Sequence, residues 1–150
     1  MKLVIQRVSR ASVSVGGELV SEIGAGMMVL VGVHTDDTAA DAEYLAAKTA
    51  ALRIFDDEAG VMNLSVSQTG GEVLAVSQFT LLASTRNGNR PSYIAAMKGA
   101  EAKALYDHYC SALGHLLGRE VKKGVFGADM DVELVNRGPV TIVIDTHENR

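Results

Sequence analysis

Two short stretches of this chain combine residue types that are unusual for where they stand. In Ser77-Gln78-Phe79-Thr80, three side chains with hydrogen-bonding groups interrupt the otherwise apolar run from Glu72 to Leu82. Such groups are costly to bury unless they reach solvent, satisfy one another or line a site. In Asn136-Arg137-Gly138-Pro139-Val140-Thr141, a Gly-Pro step lies between the strand-like runs Val132 to Val135 and Val140 to Ile144. A tight hairpin favours Asn-Gly or Asp-Gly, and proline has no N–H to give to a ladder. The step therefore reads as a bulge, a kinked connection between edge strands, or a functional device. A nucleophilic Thr80 hydroxyl would need an adjacent base, and neither stretch contains a His, a Lys or a carboxylate. Attack by water is favoured, with a covalent threonine as the alternative.

Other familiar equipment is missing from the sequence. There is no G-x-S-x-G elbow, H-E-x-x-H, C-x-x-C, P-loop or G-x-G-x-x-G. His34, His108, His115 and His147 are scattered without ligand spacing and read as surface or capping residues. No metal and no other cofactor is expected. The single cysteine, Cys110, rules out a disulfide framework and reads as a buried structural thiol in a reducing compartment. Fourteen basic against eighteen acidic residues give a net charge of −4, which argues against non-specific coating of nucleic acid. Two local groups, Arg86, Arg90 and Lys98, and Arg119, Lys122 and Lys123, suit a few phosphates or an ordinary solvated surface.

The elements that must position these residues follow from periodicity. Residues 2 to 8 and 11 to 15 alternate in the strand period, and Gly16-Gly17 turns the chain toward Glu18 to Ile23. The run Met27 to Val33 suits a central strand covered on both faces. Thr38 followed by Asp41 resembles a capping box for an Ala-rich helix from Ala39 to Ile54. Glu72 to Leu82 reads as a strand, and Pro91-Ser92 opens a second helix to about Leu113. The expected fold is α/β of the α+β type: one domain over residues 1–150, with a curved, barrel-like, mostly antiparallel mixed sheet and two main helices packed on it. Nothing approaches the roughly 18 apolar residues of a membrane helix, so the chain is expected to be cytoplasmic, with no membrane partner.

Taken together, these stretches resemble the D-aminoacyl-tRNA deacylase family, enzymes that cleave the ester between a D-amino acid and the 3′ end of tRNA. The resemblance spans nearly the whole chain. It includes Gln6 to Val8 with Ala11 to Val13, Arg53 to Phe55, Met62 to Val66, Ser77 to Leu81, Asn89 to Ser92, Phe126 to Met130 and the NxGPVT of Asn136 to Thr141. Departures are mild: Leu82 follows SQFTL, and Asn87 stands in a loop that is often more basic.

The resemblance implies chiral proofreading in translation by a homodimer with a cross-subunit active site. A cis Gly138-Pro139 of one subunit would enter the site of its partner and exclude L-amino acids, with Asn136 in the same motif and Arg7 bracing it. The 3′ adenosine end of D-aminoacyl-tRNA would be the partner, and its 2′-hydroxyl would help to activate water. Main-chain N–H groups around Phe79 and Thr80 would hold the oxyanion, Ser77 and Gln78 would orient the adenosine or the water, and Phe126 and Met130 would wall the pocket. For the last two, core packing fits equally well. Glycine mischarged on tRNA(Ala) would also be accepted. Two further readings remain open: a threonine-dependent hydrolase of small D-amino-acid esters, and a non-catalytic tRNA-binding dimer.

Overall fold

The computed structural model describes residues 1–148. Eight strands and three helices follow in the order β1 (Lys2–Val15), β2 (Glu18–Ile23), β3 (Gly26–Gly32), α1 (Ala39–Ala51), β4 (Phe55–Asp56), β5 (Met62–Leu64), α2 (Val66–Thr69), β6 (Glu72–Ser77), α3 (Gly99–Leu117), β7 (Lys122–Lys123) and β8 (Asp131–Asp145). The main sheet runs β2-β1-β3-β6-β7, with β8 on the other edge of β1. The pairs β1–β2, β1–β3 and β1–β8 are antiparallel, and β3–β6 and β6–β7 are parallel. Ser21 Oγ donates to the Lys123 carbonyl at 2.6 Å, linking β2 to β7 and nearly closing the sheet into a barrel.

β3 is apolar throughout because both its faces are covered. Met27, Val29 and Val31 join Leu3 and Ile5 of β1 beneath the helices, whereas Met28 joins Val8, Ala11, Val13, Leu74 and Val76 in a second cluster on the opposite face. The two alternating runs of β1 form one strand. Between Val8 and Arg10 the register slips by one residue, which moves odd-numbered side chains from the helix-covered face to the inner one.

α1 buries Ala42, Leu45, Ala46, Thr49 and Ala50, and α3 buries Ala102, Tyr106, Tyr109, Cys110 and Leu113. Both stripes have helical spacing. Tyr106 Oη donates to the Ala75 carbonyl at 2.7 Å, fastening α3 to β6. The Thr38 amide and hydroxyl both donate to Asp41 at the start of α1.

Several boundaries differ from expectation. α1 stops at Ala51 rather than Ile54, and α3 begins at Gly99, eight residues after Pro91. The intervening segment is held by paired bonds between Ser84 and Ser92 and by the amide of Met97 on the Val33 carbonyl, so its backbone is satisfied without a helix. The short α2 is a third helix that periodicity did not reveal, too brief for a helical stripe. β6 ends at Ser77, and Phe79–Leu82 forms a 3-10 turn instead of extending the strand. Around NxGPVT there is one strand, not two: β8 continues through it with a bulge. β1 steps from Gln6 to Val8 with one residue between, while β8 steps from Thr141 to Asn136 with four between.

Candidate active site

β6 delivers Ser77 to the edge of the sheet, where the Gln78 amide donates to the Val31 carbonyl at 2.8 Å and ends the parallel ladder. The chain then tightens into the 3-10 turn of Phe79–Leu82. That turn lies directly against Gly32 of β3: a Cβ there would meet Leu82 Cδ2 at 2.6 Å, Leu81 Cβ at 3.0 Å and the Gln78 carbonyl oxygen at 3.2 Å. Only glycine admits so close an approach. The first N–H groups of a helix have no partner within it. Among the described residues, no backbone carbonyl accepts from the N–H of Phe79 or Thr80.

A cavity of about 470 Å³ opens beside this turn. Ser77, Gln78 and Phe79 form one wall, Met97, Lys98 and Gly99 at the start of α3 another, and the loop from Phe126 to Met130 a third. That loop is anchored to β6 by the Gly124 amide on the Ala75 carbonyl, at 3.3 Å. Phe126 also packs on Tyr106, with ring centroids 5.9 Å apart. It therefore lines the cavity and touches the core at once. Phe79 is half exposed and meets Tyr93 edge-on at 5.2 Å.

Thr80 is close but does not line the cavity. Its hydroxyl accepts from Gln78 Nε2 at 2.5 Å, and among the described residues no His, Lys or carboxylate is hydrogen-bonded to it. Lys98, which the sequence offered only as a phosphate candidate beside Arg86 and Arg90, and Asp129, to which it gave no role, are charged cavity residues. Asp129 lay inside the quoted stretch Phe126 to Met130, so a signal was present for it. Lys98 is brought in only by the position at which α3 begins.

The second motif lies elsewhere in the chain. Asn136, Gly138 and Pro139 are exposed and absent from this cavity, as is Arg7. The Gly138–Pro139 peptide bond is cis, and Gly138 has φ +129°, a conformation that L side chains rarely adopt. Arg7 lies behind the bulge. Its Nε donates to the Arg137 carbonyl at 2.9 Å and its Nη1 to the Ile54 carbonyl at 2.8 Å, with Asp56 Oδ1 at 3.3 Å. The Arg7 side chain is only 11% exposed, and its bond to the Ile54 carbonyl is partly buried, whereas those to the Arg137 carbonyl and Asp56 lie at the surface.

The cavity thus has the unpartnered main-chain N–H of Phe79 in its wall and that of Thr80 next along the turn, beside apolar side chains. Among the described residues, no three His, Cys, Asp or Glu side chains are grouped so as to hold a metal ion. Nor is any helix long and apolar enough to cross a membrane. Cys110 is buried beneath α3, and burial first of all pushes its thiol up to about 12. The family model for D-Tyr-tRNA(Tyr) deacylase matches residues 4–145. The chain belongs to that family. A D-aminoacyl-tRNA deacylase of Porphyromonas gingivalis is 58% identical over 147 residues, with 98% of each chain covered. A solved structure described as c-Myc DNA Unwinding Element Binding Protein is 42% identical, with a TM-score of 0.92 over 97% of this chain and 99% of that one. A probable eukaryotic D-amino acid tRNA deacylase shares the fold at a TM-score of 0.83 and 16% identity, covering 95% and 97%. As a member of the deacylase family, the protein is a hydrolase of ester bonds.

Proposed function

We propose that the protein hydrolyses the ester of D-aminoacyl-tRNA in the cytoplasm and releases the free D-amino acid and tRNA. The observation that carries this reading is the pair of unpartnered N–H groups at Phe79, which lines the cavity, and at Thr80, the next residue of the same 3-10 turn. Water adds to the ester carbonyl carbon, the oxyanion is held by those amides, and the 3′ oxygen of the terminal adenosine leaves with a proton. The 2′-hydroxyl of that adenosine helps to activate the water. Losing one such donor typically costs about 2.7–4 kcal/mol, so main chain alone contributes appreciably. Ser77 and Gln78 orient the adenosine or the water, and Phe126 and Met130 wall the amino-acid end.

Handedness needs a separate device. Lacking a contact for the wrong substrate yields about 1–3 kcal/mol of discrimination, whereas a thousandfold preference needs roughly 4 kcal/mol. In our reading, Gly138 and Pro139 of a second copy enter the cavity as a wall. With the α-amino group and Cα hydrogen held by main chain, a D side chain points to solvent and an L side chain collides with that wall. The exposure of the bulge and its support by Arg7 favour this role. Glycine on tRNA(Ala), having no side chain to collide, is accepted as well.

The deciding experiment compares release of tyrosine from D-Tyr-tRNA and L-Tyr-tRNA by the purified protein. The D ester is cleaved and the L ester spared; equal cleavage rejects the reading. A variant forced to remain monomeric is expected to lose the preference, and retention of it by such a monomer rejects the cross-subunit wall.

A further inference from the structure

An acidic protein must still hold a polyanion, and its cations are unevenly committed. Most are engaged: Lys2 with Asp145, Arg10 with Glu133, Lys103 and Lys123 with Asp107, Arg7 with Asp56, Arg53 with the Asn63 carbonyl, Arg119 with the carbonyls of Val66 and Gly71, and Lys48 over the Tyr44 ring. Among the described residues, five cations, Arg86, Arg90, Lys98, Lys122 and Arg137, have neither an ion pair nor a side-chain hydrogen bond. Arg86, Arg90 and Lys98 lie between the 3-10 turn and α3, whereas Lys122 is on β7 and Arg137 in the β8 bulge. From Val73 to Ala100 the sequence contains no Asp or Glu, although the whole chain has 18.

The structure turns this bias into a directed patch. The paired bonds of Ser84 and Ser92 close a loop whose residues 83–92 are all exposed and whose tip carries Arg86 and Arg90. The loop begins one residue after the 3-10 turn and returns through Tyr93, which packs edge-on against Phe79 at the cavity wall. Lys98 lines the cavity itself. Beside these cations, Ile94 is 87% exposed and Phe79 51%. A line of free cations leading away from an active-site mouth, with exposed apolar and aromatic surface alongside, suits a single strand: phosphates on the cations and a base on the ring or the aliphatic face.

We infer that the 84–98 loop is the clamp for the single-stranded 3′ end of the tRNA, with Arg86 and Arg90 meeting the phosphates that precede the terminal adenosine. The inference rests on the deacylase reading of the cavity. Affinity for the nucleic acid is placed where local charge is positive, and the net charge of −4 keeps the remainder of the surface from competing. Arg86 and Arg90 read no base edges, so one clamp serves tRNAs of differing sequence.

The test uses the full protein with Arg86→Gln and Arg90→Gln combined, and two substrates: D-Tyr-tRNA and the minimal ester 3′-D-tyrosyl-adenosine, which has no phosphates. Each phosphate contact to a single strand contributes about 0.7 to the slope of log affinity on log salt, so losing two flattens it by about 1.4. Between 50 and 200 mM salt, kcat/KM on the tRNA should then fall about sevenfold less in the double variant than in the parent. The ratio of kcat/KM between the two substrates should drop at least tenfold at 50 mM salt, and Arg86→Lys with Arg90→Lys should restore most of it. An unchanged slope and ratio overturn the inference, as does an equal loss on both substrates. If the parent cleaves neither ester, the reading of the cavity has failed, and the clamp is then decided by filter binding of uncharged tRNA. A slope flattened by the double Gln variant sustains it, and an unaltered slope overturns it.

Discussion

Gly32→Ala tests how the fold sets the chemistry, because Gly32 touches no substrate in our reading. The added Cβ would stand 2.6 Å from Leu82 Cδ2, 3.0 Å from Leu81 Cβ and 3.2 Å from the Gln78 carbonyl oxygen. The Leu82 methyl is the end of a flexible side chain and can rotate away. The other two atoms belong to the turn and move only if it moves. Overpacking of this kind typically costs about 1–3 kcal/mol, and each kcal/mol lowers Tm by about 2–4 °C in a domain of this size. Stability should therefore fall by roughly 2–12 °C, leaving the protein folded at 25 °C. The effect on catalysis is separate. Displacing the turn by a few tenths of an ångström misaims the N–H groups of Phe79 and Thr80, and loss of one oxyanion donor lowers kcat about 10²–10³-fold. The assay is single-turnover cleavage of D-Tyr-tRNA at 25 °C, beside a thermal melt of the same sample. A variant with lowered Tm and unchanged kcat would refute the assignment of those amides to the oxyanion.

Other expectations follow from the same geometry. Thr80→Val removes the hydroxyl that Gln78 engages, and kcat should stay within about tenfold of the parent, whereas a covalent threonine mechanism requires its abolition. Asp129→Asn removes the only carboxylate that lines the cavity among the described residues. Activation by the substrate 2′-hydroxyl predicts little change in the pH–rate profile, and a loss of about 10²–10⁴-fold would instead make Asp129 the general base. Arg7→Ala deletes an exposed bond to the Arg137 carbonyl and a partly buried, charge-assisted one to the Ile54 carbonyl, the latter of a kind that contributes about 1.5–3 kcal/mol. Cleavage of L-Tyr-tRNA should rise at least tenfold with little change for the D ester, and unaltered selectivity would remove Arg7 from that role. Burial holds the Cys110 thiol protonated to about 12 against its ordinary 9.0. Its folded-state value is raised, so the stability tied to it is present below about pH 9 and is lost as pH climbs toward 12. The melting temperature of the parent should accordingly fall more steeply above pH 9 than that of Cys110→Ala, and native protein at pH 8 should resist iodoacetamide.

Where the sequence was legible, a short-range rule governed it. The apolar run of β3 spoke for a strand covered on both faces, and Met27 and Met28 do lie in clusters on opposite sides. Thr38 and Asp41 marked the start of α1 because a capping box needs only four consecutive residues. The misreadings arose where a distant partner overrode a local signal. Pro91 and Ser92 are good helix openers, yet Ser92 is paired with Ser84 and α3 waits until Gly99. Gly138-Pro139 reads locally either as a bulge or as a kinked connection between two strands, and the bulge is what forms, because β1 pairs with β8 on both sides of it and carries the chain through as one.

Residue identity and order alone determined the family resemblance, the alternation of the strands, the helical stripes and the presence of the SQFT and NxGPVT stretches. These are properties of neighbours along the chain, set by sterics and hydrogen-bond periods of two or of 3.6 residues. Tertiary structure decided that Lys98, Gly99 and Asp129 share a cavity with Ser77 to Phe79, and that Thr80 hangs from Gln78 instead of facing it. It also placed Gly138 and Pro139 outside that cavity within a single chain. The curl of the sheet and the bulge in β8 set those distances, and they depend on pairing between residues more than a hundred positions apart.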